Sequence, residues 1–92
     1  MNHATLANED AERAHRTAAL FAAIEAMEGT LSVAEALLTG RRRIDLGGLD
    51  GEMGRLCAAA LLAPAEALPA IRLRLEAMRR TLDRLQAGLP RP

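Results

Sequence analysis

Three runs of apolar residues step through this chain at alternating intervals of three and four. The first is Leu20, Ile24, Met27, Leu31, Ala34 and Leu38. The second is Leu49, Met53, Leu56 and Ala60, and the third is Leu68, Ile71, Leu75, Met78, Leu82, Leu85 and Leu89. Residues so spaced share one side of an α-helix, whereas a half-buried strand alternates at every second residue. The same spacing makes the seam of a coiled coil. The expected fold is therefore all-α, either an antiparallel helical hairpin or a three-helix bundle with coiled-coil-like seams. In the hairpin form, the second and third helices make one broken arm lying along the first.

Composition agrees with the spacing. Half of the residues are hydrophobic, yet Phe21 is the single aromatic, and every one of the basic residues is arginine. Ala, Leu, Arg, Glu and Met favour helices, while the strand formers Val and Ile are reduced to Ile24, Val33, Ile44 and Ile71. Ninety-two residues make one domain with a modest core. Its one cysteine, Cys57, cannot form an internal disulfide; set in an apolar helical run, it reads as a small buried hydrophobe in a reducing compartment.

Boundary signals divide the chain into helices over about 8–39, 46–62 and 65–87, with flexible ends at 1–7 and 89–92. Asn8 is the expected N-cap of the first, followed by Glu9, Asp10 and Glu12 at the positive end of the helix dipole. The turns before Leu20 lack the stripe and are expected to fray or project, and Gly40 is the expected stop. Gly29, inside the helix, suggests a close neighbour. Asp45 is the expected N-cap of the second helix, with Asp50 the alternative. Gly47, Gly48, Gly51 and Gly54 make that helix intrinsically weak, so it is the element expected to move or to order on binding. Pro64 breaks it, and Gly88 with Pro90 ends the third.

Charge narrows the partners. The formal net charge is +0, which disfavours a protein held by nucleic-acid phosphates. Acidic residues dominate residues 1–39 and arginines dominate residues 67–92, so the first and last helices attract one another, within one chain or between subunits. No stretch is expected to span a membrane, and the acidic N-terminus does not suit a signal peptide, so a cytoplasmic location is expected.

Candidate chemistry is sparse. His3 and His15 lack the converging ligands of a zinc site. Asp45, Asp50 and Glu52 beside glycines hold only part of a calcium-loop pattern, and capping accounts for the aspartates. Gly47-Gly48 has neither the lysine nor the preceding strand of a phosphate cradle. Arg41, Arg42 and Arg43 suit the carbonyl end of the first helix. The expectation is no enzyme, no metal and no cofactor.

The apolar inventory exceeds what the seams use. Phe21, Val33 and Leu37 lie beside the first seam, Leu46, Cys57 and Leu61 beside the second, and Leu73 beside the third. These residues, with Met53, are the candidate partner-binding set. They either widen the core stripe or form a second face that another protein covers. A homo-oligomer, or a groove for an amphipathic partner helix, is expected.

The stretch Gly40-Arg-Arg-Arg-Ile-Asp-Leu-Gly-Gly-Leu49, with Gly54-Arg-Leu-Cys-Ala-Ala-Ala-Leu61, resembles small helical bacterial proteins of flagellar gene clusters, short relatives of flagellar export chaperones. The resemblance extends by pattern over residues 17–88. It implies a helical protein that holds the amphipathic helix of a type III secretion substrate until export. Known chaperones of this sort are longer. The expected function is thus a non-catalytic protein–protein interaction module, an export chaperone or adaptor. The alternatives are a self-assembling structural bundle and a regulator touching nucleic acid through Arg41–Arg43 and the basic last helix.

Overall fold

In a computed structural model, which describes residues 3–89, three helices form an elongated bundle of 60 × 18 × 18 Å. Helix α1 spans His3–Thr39, α2 spans Leu49–Ala60 and α3 spans Leu68–Ala87, the last preceded by a short 3₁₀ turn at Ala65–Ala67. All three pack on one another. This is the three-helix bundle rather than the hairpin with one broken arm.

The order is up, down, up. Glu28 of α1 meets Arg74 of α3, Glu35 approaches Arg84, and Leu38 lies against Gly88. Numbers rise together along both helices, so α1 and α3 run parallel. Asp50, at the start of α2, meets Arg79 and Gln86 near the end of α3, so α2 runs antiparallel to it. The acidic first helix and basic last helix do lie side by side, as their charges require.

The core is built from the three seams. Leu20, Ile24, Met27, Leu31 and Ala34 are buried on α1, Met53, Leu56 and Ala60 on α2, and Ile71, Leu75, Met78, Leu82 and Leu85 on α3. Leu38, Leu49 and Leu89 close its ends as half-buried side chains. Burying apolar area at ~25 cal/mol per Å² is what holds such a bundle together.

The ends of the helices differ from expectation in physically informative ways. α1 does not begin at Asn8; residues 3–7, expected to be flexible, form its first turns. Residues 1–2 and 90–92 lie outside the described residues, and Leu89 packs on the core rather than fraying. At its C-terminus, Arg42 N–H donates to the Leu37 carbonyl at 2.8 Å and Arg41 N–H to that of Leu38 at 3.0 Å. This Schellman closure puts its left-handed residue at Arg41, with φ 59°, one position beyond the glycine expected to fill it.

α2 starts later than expected, because Asp45 caps a turn instead. Its Oδ1 accepts the Gly47 N–H at 2.7 Å, and Gly48 follows with φ 85° as the N-cap. Gly29 faces open space rather than a close neighbour. The tight glycines are Gly88, where a Cβ would sit 2.9 Å from Leu38, and Gly47, where it would sit 2.9 Å from Asp45 Oδ1.

By length and composition, Ala4–Thr39 of α1 is apolar enough to cross a membrane, the one such helix among the described residues. This corrects the expectation that no stretch has that character. In the bundle, Leu20, Ile24, Met27 and Leu31 of that helix are covered by α2 and α3, whereas Leu6 and Val33 are exposed.

Candidate functional site

The bundle covers only part of α1. From Ala4 to Arg16 every residue is exposed, and the seam begins at Leu20. The stretch 3–16 is a helical arm of about 21 Å at 1.5 Å per residue, projecting past the turn that joins α2 to α3. Beside its base, that turn exposes Leu61 and Leu62, at 84% and 83%. Leu61 follows the last residue of α2, and Leu61–Ala63 close as consecutive i→i+3 turns before Pro64. With no fourth helix there, nothing shields the two leucines.

Two grooves flank the arm's base. One, of about 330 Å³, is lined by Arg13, Arg16 and Leu20 of α1 against Leu56, Ala59 and Leu62. The other, about 470 Å³, lies between Ala14, Ala18 and Phe21 of α1 and Pro64 and Ala67. Both are mainly apolar with arginine or carboxylate at the rim, the character of a surface that takes a helix rather than a small polar substrate.

The candidate residues do not converge. Phe21 is half-buried against the core, with the Arg74 guanidinium 5.8 Å above its ring. Val33 is 60% exposed and Leu37 half-buried, but Val33 lies about 18 Å along α1 from Phe21. Leu73, 66% exposed, stands over a separate hollow with Pro69 and Arg72. Leu61 belongs to the ledge.

Leu46 and Met53 are corrected: both are core side chains and have no free face to offer. Cys57 is corrected in the other direction, from buried to exposed, because it stands one residue past the core position Leu56. Leu62 and the arm itself were not in the candidate set. The cue to the arm was the lack of a stripe before Leu20, which pointed to turns that fray or project.

Several charges on the bundle pair with one another. The Glu28 carboxylate accepts two hydrogen bonds from Arg74, which hold its pKa below the ordinary carboxylate value against the opposing effect of partial desolvation. Arg79 donates to Asp83 and Asp50, and Arg84 approaches Glu35 at 3.9 Å. Among the described residues no group of three His, Cys, Asp or Glu converges on a point. No known family, curated protein or solved structure matches the chain.

Proposed function

We propose that this chain is a non-catalytic helical interaction module whose binding surface is the α1 arm with the Leu61–Leu62 ledge. The observation that carries the reading is the arm itself. Every residue from Ala4 to Arg16 is exposed, on a helix that rises directly above two leucines left almost fully exposed. A helical stretch this short is marginal in water on its own, and small domains seldom leave adjoining apolar side chains bare without a partner.

In this reading the partner is a helix laid beside the arm. The resemblance to flagellar export chaperones gives one form, in which that helix belongs to a secretion substrate. Self-assembly gives another. Nucleic-acid binding is disfavoured because Arg74, Arg79 and Arg84 each meet a carboxylate. The protein works in the cytoplasm in this reading. Coverage of Leu20, Ile24, Met27 and Leu31 by the other helices supports that, as does the pairing of Glu28 with Arg74.

The test separates surface from fold. Ala11→Pro breaks the arm, and Leu61→Glu with Leu62→Glu charges the ledge. Both variants are expected to keep the thermal midpoint of the bundle. In the unaltered protein, arm amides should gain protection against hydrogen exchange as its own concentration, or that of an amphipathic substrate helix, is raised; the variants should lose that gain. Unfolding of the bundle by either variant would make the region structural and overturn the reading, as would arm amides that never gain protection.

A further inference from the structure

We infer that the arm of α1 pairs with the arm of a second copy of this chain, antiparallel and about a two-fold axis. The inference rests on the reading of the arm above and names the arm's occupant.

Charge order along the arm carries it. Acidic Glu9, Asp10 and Glu12 precede Arg13, His15 and Arg16, and all six are exposed. A parallel copy would set acid beside acid and base beside base. An antiparallel copy sets the acidic half of each arm against the basic half of the other, twice by symmetry. Antiparallel helix dipoles favour the same choice. The axis then falls at the boundary between Glu12 and Arg13.

That single register also matches the packing face. Ala11 comes opposite the partner's Ala14, Ala7 opposite the partner's Ala18, and Ala4 opposite the partner's Phe21. These positions step by three and four, so they share one stripe of the helix, and their small side chains let two backbones approach closely. On one flank of the stripe Asp10 falls beside the partner's Arg13. On the other, Glu12 falls beside the partner's His15. Within one chain Asp10 and Arg13 stand 3.9 Å apart and well exposed, so both can reach across.

The groove supplies the end of the site. It opens between Ala18 and Phe21 of α1 and Pro64 and Ala67, where this register sets the partner's first turn. The overlap from Ala4 to Phe21 is about 27 Å long.

Disulfide trapping in the full-length protein tests the register, with the exposed Cys57 first changed to serine. Ala7→Cys chains mixed with Ala18→Cys chains are expected to cross-link on mild oxidation. Neither variant alone should do so, because two copies of position 7 lie about 16 Å apart across the axis, beyond the ~7 Å Cα limit of a disulfide. Self-cross-linking of Ala7→Cys would mean parallel pairing and overturn the inference.

Light scattering over a dilution series gives the mass. A dimer is expected, with its midpoint moved about tenfold towards higher concentration by Asp10→Arg. Combining Asp10→Arg with Arg13→Asp should restore it, since the reversed charges face each other again. A monomer throughout, with no mixed cross-link, overturns self-pairing. The Ala11→Pro and ledge variants still decide whether the region is a binding surface for another protein, so the two readings fail separately.

Discussion

One helix, α1, runs through two different environments. Over its second half Leu20, Ile24, Met27 and Leu31 are buried against α2 and α3. Over its first half Leu6 is the one large apolar side chain, 42% exposed, amid alanine, acid and arginine. The backbone is the same and the propensities are similar, so helix formation does not distinguish the halves. What distinguishes them is side-chain volume on the inward face. Large residues at seam spacing anchor the helix in its own bundle, whereas small and charged ones leave it standing clear.

The comparison breaks most sharply at the centre of the bundle. Leu82 is fully buried, and Leu82→Asp places a carboxylate among apolar side chains. That costs more than about 4 kcal/mol, most of what a chain this size has, so circular dichroism should report an unfolded protein. Ala11→Asp in the arm adds the same charge and should leave the melting curve of the bundle in place.

Truncation within α1 gives the next effect. Ile24→Ala should destabilise by about 2–5 kcal/mol in urea unfolding, while Leu6→Ala should change stability by less than about 0.5 kcal/mol. Equal costs at the two positions would erase the distinction between the halves.

A stabilising change is expected where α1 ends. Arg41 holds a left-handed conformation at φ 59°, and Arg41→Gly should raise stability by about 1 kcal/mol. The smallest effect is electrostatic. The pKa of Glu28 is lowered by Arg74, so its contribution is complete above the unfolded carboxylate value near 4.5 and fades as pH falls through the lower folded value. Urea midpoints measured downwards from pH 6 should decline less steeply in Glu28→Gln.

The bundle was legible because its seams are regular. Apart from Leu46 every core side chain stands on a seam, the seam ends being half-buried, and the charge split between residues 1–39 and 67–92 correctly paired α1 with α3. Local chemistry misled where two devices compete for one residue. Asp45 has the character of a helix N-cap but satisfies a turn with Gly47, and Gly48 takes the cap. Gly40 has the character of a terminator, yet the left-handed position falls on Arg41 because the Schellman bonds reach back to Leu37 and Leu38. Cys57 was judged by its apolar neighbours, although Ala58 and Ala59 are as exposed as it is. The ledge was not legible, since only the bundle shows where the second and third helices stop short of the first, whereas the lack of a stripe before Leu20 already pointed to turns that fray or project.

The length of α1 sets how the molecule moves. A radius of gyration of 16.8 Å exceeds the roughly 12 Å of a compact chain of this size. A rod-like shape raises hydrodynamic drag, so the protein should elute from a sizing column ahead of a globular standard of equal mass even as a single copy. Its tumbling should be anisotropic, slow end over end and fast about the long axis. An NMR relaxation profile should then split by orientation, with helical N–H bonds along the rod relaxing differently from those in the 40–48 connection.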